Sequence, residues 1–147
     1  MLDELYQELI LQHAKQSARR GALDGSSVLC SNVHNPLCGD ELVLSAEFDG
    51  DVLKAIRFDG EGCAISQASA SMLAELAEGK TRQELETAIS SFRAMIHGEI
   101  PLNDCKELGD LLALEGVKKF PVRVKCAMLA FEALSKLLSQ SSPERHA

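Results

Sequence analysis

The sequence predicts an α+β fold: a small antiparallel three-stranded sheet packed on one face by about four to six helices. Two segments of alternating apolar and polar residues, 41–48 and 52–58, flank Asp49-Gly50-Asp51, a pattern typical of a β-hairpin. Apolar residues recur at helical spacing before and after this hairpin. A sheet with one apolar face requires helices to cover that face, and the chain offers several.

The N-terminal part of the chain is predicted to be a helix followed by a loop. Residues 3–18 form an amphipathic pattern with Leu5 and Leu9 on one face. The segment 20–40 is rich in glycine, serine, asparagine and proline, so we expect it to be mostly loop. A short strand near 27–31 is expected to pair with the hairpin as the third strand.

Two helices are expected after the hairpin. The first covers about 64–78 and is closed by Gly79, because glycine readily adopts the left-handed conformation that ends a helix. Thr81 and Glu84 have the spacing of a capping box, which predicts the start of the second helix. That helix is expected to end near Gly98.

The C-terminal third is predicted to contain an insert, a last helix and a tail. Residues 99–119 are expected to be a lower-order insert with a short helical stretch that stops at Gly116. Pro121 suits the first turn of a last helix. An apolar stripe follows at Val124, Met128, Phe131, Leu134 and Leu138, and residues 140–147 are expected to be a flexible tail.

The composition predicts one domain over residues 1–147 that needs no metal or disulfide to fold. A chain of this length with 46% hydrophobic residues can build a core without metal or disulfides. A bound metal would therefore serve chemistry rather than folding.

Charge and cysteine usage exclude several classes of partner. The formal net charge of −7 argues against nucleic acid, because phosphate binding needs a basic surface. The acidic N-terminus does not resemble a signal peptide, and no apolar run has the length of a membrane span. Five cysteines, an odd number, favour reduced thiols over a disulfide framework. We expect a cytoplasmic protein with no membrane partner.

Three cysteines and one aspartate form a candidate metal site. Cys38 lies in N-P-L-C-G-D with Asp40 two residues later, Cys63 follows D-G-E-G, and Cys126 ends R-V-K-C. Three thiolates and a carboxylate complete the tetrahedral shell that zinc accepts. Cys38 is expected at an exposed turn tip, whereas Cys63 and Cys126 lie near helix starts, which favour thiolate.

Each of these residues also has an interpretation without a metal. Cys38 would be an exposed loop cysteine, Cys63 a buried structural one, and Cys126 a core residue, because cysteine is often buried. Asp40 alone would be a turn residue. G-E-G-C-A-I resembles the start of a dinucleotide fingerprint, but the third glycine and the βαβ unit are missing, so we reject a nucleotide site.

Four further residues are considered as candidates for the site. Arg123 and Lys125 flank Cys126 and could stabilise a thiolate or persulfide, although solvated charges on a helix face are the simpler interpretation. Cys30 in a serine-rich loop and Cys105 in the insert lack such a setting, and we treat both as non-ligands. The four histidines show no metal-ligand spacing.

The three cysteine motifs resemble those of the IscU/SufU-type iron–sulfur cluster assembly proteins. The matching segments are 34–40, 58–72 and 120–130, and the resemblance runs from the N-terminal helix to about residue 138. IscU scaffolds carry a histidine directly before the third cysteine, where this chain has Lys125. The insert 99–119 resembles the SufU branch.

The resemblance implies a cofactor, a partner and a role for each site residue. The SufU branch implies zinc held by Cys38, Asp40, Cys63 and Cys126. It also implies that Cys38 accepts persulfide sulfur from a PLP-dependent cysteine desulfurase of the SufS type. Arg123 is the candidate for partner docking, and sulfur would pass on to a scaffold or apo-proteins.

Two alternatives remain open from the sequence. The chain could be a scaffold that holds iron or a labile [2Fe–2S] cluster on the same four residues for transfer to apo-proteins, since thiolates suit such clusters. It could also be an adaptor with a purely structural zinc, although an exposed Cys38 does not fit a closed site. A desulfurase activator that carries sulfur is favoured over a classical enzyme.

Overall fold

The fold is that of a computed structural model, which describes residues 4–15, 17–36 and 39–140, with residues 4–6 described by their backbone alone. Helix α1 (Glu4–Lys15) precedes the strands β1 (Leu29–Asn35), β2 (Asp40–Asp49) and β3 (Val52–Glu61). Helices α2 (Ala64–Ala77) and α3 (Arg82–Ile96) follow. Two 3-10 helices, Leu102–Asp104 and Lys106–Lys119, then lead to α4 (Pro121–Gln140).

The strands form one antiparallel sheet in the order β1-β2-β3, which confirms the predicted α+β architecture. Alternate residues of β2 and β3 are fully buried on one face, with Leu44 opposite Phe58 and Ala46 opposite Ile56. The helices cover this face. Asp40 has the same parity as Leu42 and Leu44, so the pleat directs its side chain to the helix-covered side.

The helices meet in a core built around α4. Phe131 of α4 stacks on Phe92 of α3, with ring centroids 4.0 Å apart. The whole predicted stripe of α4, from Val124 to Leu138, is buried. Ser69 of α2 donates a hydrogen bond to the carbonyl of Ala127 at 2.6 Å, which fixes α2 against α4.

Most helix boundaries agree with the sequence predictions. Gly79, which follows the C-cap Glu78 of α2, has φ +89°, as a C-terminal glycine should. The capping box of Thr81 and Glu84 is present at the start of α3, where both reciprocal hydrogen bonds form. Pro121 is the first residue of α4.

The predictions for the N-terminal segments were wrong at two places. Helix α1 ends at Lys15, and residues 17–19 leave it because Arg19 and Gly21 hydrogen-bond Phe58 at the edge of β3. The third strand runs from Leu29 to Asn35, beyond the predicted 27–31. Cys30 therefore lies on an exposed strand rather than in a loop.

The insert has more structure than we predicted. Its second 3-10 helix continues past Gly116 to Lys119 and is interrupted only at Gly109, where φ is +58°. Leu108, Leu111, Leu114 and Val117 are buried at intervals of three residues, the repeat of a 3-10 helix. Cys105 is also buried, whereas we expected it in a loosely ordered segment.

Among the described residues, no helix is both long and apolar enough to cross a membrane. Of the predicted tail, residues 141–147 lie outside the described residues.

Candidate metal centre

Three of the four predicted ligands lie together. Asp40 opens β2, Cys63 is the N-cap of α2, and Cys126 lies in the second turn of α4. One ligand atom from each lies within 4.8 Å of the other two. In tetrahedral zinc sites the sulfur atoms are about 3.8 Å apart, because each Zn–S bond is about 2.3 Å. Small side-chain rotations would therefore bring these atoms to ligand spacing.

The carboxylate of Asp40 is held at one oxygen only. Asp40 is fully buried, and its Oδ1 accepts the backbone N–H of Cys63 at 2.8 Å. Its Oδ2 is also buried and has no hydrogen-bond partner among the described residues. Burying a polar atom without a partner costs free energy, so this oxygen needs a further partner. A divalent metal bound next to the two thiols would be that partner.

Helix α2 brings Cys63 to the site and favours negative charge there. Its N-terminal end carries the positive end of the helix dipole, which stabilises the Asp40 carboxylate and a thiolate at Cys63. The Ser66 hydroxyl donates to the Cys63 carbonyl at 3.0 Å and lies 4.0 Å from the Cys63 sulfur. Cys63 is half-buried, so the site opens to the surface on this side.

The fourth predicted ligand, Cys38, lies outside the described residues. Of the residues around it in the chain, Pro36 is exposed in a turn, and Gly39 has φ +71°. The N–H of Gly39 donates to the carbonyl of Asn35 at 2.9 Å, which closes the turn between β1 and β2. This turn ends at Asp40, one of the three clustered residues.

The remaining cysteines do not belong to this cluster. Cys30 lies on β1, where it alternates with buried residues. Together with Asn32 and His34 it is exposed on the sheet face away from the helices. Cys105 is fully buried in the insert. No disulfide joins the four cysteines that the structure describes.

Arg123 and Lys125 are exposed in the first turns of α4. Arg123 borders an apolar groove formed by α1, the start of α2 and the end of the insert, which includes Leu11, Ile65 and Phe120. The side chains of Leu11 and Phe120, which line it, are each about half exposed. The groove begins next to Cys63, so a partner bound there would reach the site.

A second group of ligand-type side chains, which the sequence did not predict, lies between α1, α2 and the insert. His13, Glu75 and Asp110 lie within 4.8 Å of one another. The His13 ring is buried, with Nδ1 2.8 Å from the Ser71 hydroxyl and Nε2 3.0 Å from the Asp110 carboxylate. Because Asp110 can only accept when ionised, Nε2 carries the proton in the neutral ring and Ser71 donates to Nδ1. Protein groups therefore satisfy both nitrogens.

Two residues near the first cluster were missed as part of the site. Gly62 borders both the Asp40 carboxylate and the Ser66 hydroxyl, and a Cβ on Gly62 would overlap with Asp40 Oδ1. Gly62 stands directly before Cys63 in the sequence, but its contact with Asp40 depends on the packing of β2. The residues around Gly62 in the sequence therefore could not predict this contact.

Comparisons with known proteins show which family the chain belongs to. Residues 5–127 match the model of the NifU-like N-terminal domain. The chain is 44% identical over 138 residues to the zinc-dependent sulfurtransferase SufU of Bacillus subtilis, which covers 92% of this chain and 90% of that protein. It is 38% identical over 146 residues to the iron–sulfur cluster assembly scaffold protein IscU of Streptococcus pyogenes, covering 99% and 89%.

A solved structure shares the fold. A protein from Fervidobacterium islandicum, described as an iron–sulfur cluster assembly scaffold for the SUF system, superposes with a TM-score of 0.80 at 34% identity. The match covers 89% of this chain and 94% of that one. With the sheet order, the ligand cluster and a family match over most of its length, this chain belongs to the family of the NifU-like N-terminal domain, together with SufU and IscU proteins.

Proposed function

We propose that this chain is a zinc-dependent sulfurtransferase of iron–sulfur cluster assembly, which accepts sulfur on Cys38 from a PLP-dependent cysteine desulfurase of the SufS type. The observation that carries the proposal is the convergence of Asp40, Cys63 and Cys126 from three separate elements. The name of the Bacillus subtilis relative supports zinc and sulfur transfer. The reduced thiols that this chemistry needs are typical of the cytoplasm, where we propose that the protein acts.

The donor set fits zinc. Two sulfur atoms and a buried carboxylate, one oxygen of which has no partner in the described part of the chain, provide three ligands, and Cys38 would be the fourth. When bound, zinc keeps thiols deprotonated at neutral pH, which makes them better nucleophiles. Asp40, Cys63 and Cys126 would hold the metal in this arrangement.

In the transfer, the thiolate of Cys38 attacks the outer sulfur of the persulfide on the donor enzyme. A new S–S bond forms on Cys38 while the S–S bond of the donor breaks, and its electron pair leaves with the donor thiolate. No net oxidation occurs. The exposure of Pro36 and Gly39, which precede and follow Cys38 in the sequence, supports this role, whereas Cys126 is 1% exposed.

Arg123 is proposed to help dock the desulfurase. Its exposed guanidinium lies at the rim of the apolar groove that begins next to Cys63. An interface with an apolar centre and a charged rim suits this combination. Sulfur would then pass to a scaffold or apo-proteins.

A comparison of cysteine variants tests the role of Cys38. We expect Cys38→Ser to abolish stimulation of a SufS-type desulfurase while keeping much of the zinc, because a hydroxyl is a poor sulfur acceptor and the clustered Asp40, Cys63 and Cys126 all remain. Cys63→Ser and Cys126→Ser should lose zinc first and activity as a consequence. The measurements are desulfurase turnover, zinc content and mapping of the persulfide by mass spectrometry.

Cys30→Ser is the matched control, because Cys30 is exposed on the far face of the sheet and should leave turnover unchanged. A persulfide found mainly on Cys63, Cys105 or Cys126 would contradict the proposal. So would full stimulation by Cys38→Ser.

The second candidate function is a scaffold that holds a labile [2Fe–2S] cluster on the same residues. The carboxylate of Asp40 favours it, because an oxygen ligand binds iron less tightly than a fourth thiolate would and eases release. The IscU names among the relatives also support it. Metal analysis of protein purified from cells without added metal separates the two. We expect about one zinc per chain and little iron, whereas a brown, iron-containing protein would favour the scaffold.

A further inference from the structure

The link between β3 and α2 contains a glycine that the backbone alone does not require. Gly62 does not have a positive φ, unlike Gly60, whose φ is +140°. Any residue could adopt the conformation at 62. The reason for glycine there must lie in its surroundings.

The Asp40 carboxylate and the Ser66 hydroxyl occupy the space around Gly62. A Cβ at this position would overlap with Asp40 Oδ1, lie 2.9 Å from Asp40 Cγ and lie 2.6 Å from Ser66 Oγ. Real Cβ contacts are not this short. Asp40 is anchored at the start of β2 and fully buried, so its carboxylate has little room to yield.

We infer that Gly62 is a positioning residue: it seats the Asp40 carboxylate so that Oδ1 is held by the Cys63 N–H and Oδ2 alone is offered to a divalent metal. This inference rests on the proposed metal site. The arrangement has two halves: the hydrogen bond of 2.8 Å at Oδ1, and Oδ2, which has no hydrogen-bond partner among the residues that the structure describes.

The arrangement has a consequence for coordination geometry. A carboxylate that binds through one oxygen counts as one ligand. With two or three thiolates, Asp40 would then give the metal no more than four protein ligands, the number that zinc prefers. A carboxylate released from the Cys63 N–H could bind through both oxygens, as larger cations accept. Gly62 would therefore set both the affinity of the site and its coordination number.

A set of alanine variants tests this inference on metal-free protein. Zinc affinity is measured by competition with a chelator for the unchanged chain, Gly62→Ala, Asp40→Ala and the double variant. We expect Gly62→Ala to weaken zinc binding about tenfold or more, as loss of residues that orient a ligand usually does. In the Asp40→Ala background the same change should cost less than about twofold, because the residue it displaces is already gone.

Two further measurements separate positioning from a general loss of structure. Gly79→Ala at the other end of α2 is the matched control: its φ of +89° makes alanine strained, but nothing lies within 4 Å of the added Cβ. It should lower the melting temperature without changing zinc affinity. In the cobalt-substituted protein, Gly62→Ala should weaken the visible absorption bands of four-coordinate cobalt, while Gly79→Ala leaves them intact.

Asp40→Asn extends the test should Gly62→Ala fail to fold. The amide oxygen of asparagine should take the hydrogen bond from Cys63, leaving the NH₂ group, which cannot bind a metal, at the position of Oδ2. Asp40→Asn should therefore lose as much affinity as Asp40→Ala.

Several outcomes would overturn the inference. One is unchanged zinc binding by Gly62→Ala, and a second is an equal loss with and without Asp40. A third is recovery of affinity in Gly62→Ala/Ser66→Ala, because the contact would then act through Ser66. Strong zinc binding by Asp40→Asn would also overturn it. An unchanged chain that binds no zinc overturns the proposed function as well, whereas zinc binding that depends on Asp40 but not on Gly62 overturns this inference alone.

Discussion

At the scale of single residues, the fold separates a reactive sulfur site from an inert thiol. Cys105 is fully buried, and its thiol faces the carbonyl oxygens of Pro101 and Leu102 at 3.5 and 3.6 Å. Burial raises the pKa of Cys105, and the nearby carboxylates Glu107, Asp104 and Glu115 raise it further. The thiol therefore stays protonated at neutral pH and is a poor nucleophile.

Alkylation of the native protein tests this difference. We expect an alkylating reagent to modify Cys30 quickly at pH 7.5 and Cys105 only after unfolding, because Cys30 is exposed on β1. Mass spectrometry after timed labelling gives the rate at each cysteine. Cys30→Ser is the control: it removes the label at position 30 and should leave the rate at Cys105 unchanged. Labelling of Cys105 at the rate of Cys30 would show that the insert opens easily.

The site residues could be chosen from sequence because their local contexts are unusual. Cys63 follows two glycines at a helix start, and Asp40 and Cys126 belong to equally distinctive motifs. Their mutual distances could not be predicted. These distances depend on which face of the sheet the Asp40 side chain points to and on how α2 packs against α4. Gly62 was missed for the same reason.

At the scale of elements, one carboxylate joins the N-terminal segment, the sheet and α2. Glu78 follows the end of α2, and its two oxygens accept from Arg19 and Arg57 at 3.1 Å each. The backbone N–H of Ile56 in β3 also donates to it, at 3.2 Å. Burial raises the pKa of Glu78, but the hydrogen bonds from Arg19 and Ile56 and the charge of Arg19 outweigh burial, so the pKa lies below its usual 4.5.

This lowered pKa predicts how stability depends on pH. A group whose pKa falls on folding stabilises the protein above its unfolded value, and this stabilisation is lost as pH falls through the folded value. We expect the free energy of unfolding to decline with acid below about pH 4.5, and Glu78→Gln to decline less steeply. The measurement is urea unfolding at several pH values between 7 and 3.

Glu86→Gln on the exposed side of α3 is the control for that series, because Glu86 has no comparable set of partners in the part of the chain that the structure describes. Its pH dependence should follow that of the unchanged chain. An identical slope for Glu78→Gln and Glu86→Gln would contradict the role of Glu78.

Elements with a repeating local pattern could be predicted, whereas those set by distant contacts could not. The hairpin, α2, α3 and α4 follow from alternation, helical spacing and caps. Helix α1 ends early because Arg19 and Gly21 pair with Phe58, about 40 residues away in the chain. The insert differs: its three-residue repeat of buried side chains was present in the sequence, and we interpreted it as an ordinary helix stopped by Gly116.

At the scale of the whole molecule, the metal site lies at one edge of a core that does not depend on it. Asp40, Cys63 and Cys126 join β2, α2 and α4, but these elements are already held by the buried sheet face and by the stack of Phe92 on Phe131. The hydrogen bond from Ser69 to Ala127 fixes α2 to α4 next to Cys126. The core can therefore keep the ligands close before a metal binds.

Removal of the metal tests this independence. We expect the chelated protein to keep its far-UV circular dichroism and a cooperative urea transition, because the apolar core of a 147-residue chain is sufficient for folding. Added zinc should raise the free energy of unfolding by about 2.7 kcal/mol when free zinc is a hundred times the dissociation constant. At the same free zinc concentration, Cys63→Ser should reduce this gain, whereas Cys30→Ser should not. If chelation abolishes the cooperative transition, the metal is part of the folding core, and the site would be a structural one rather than a site for sulfur transfer.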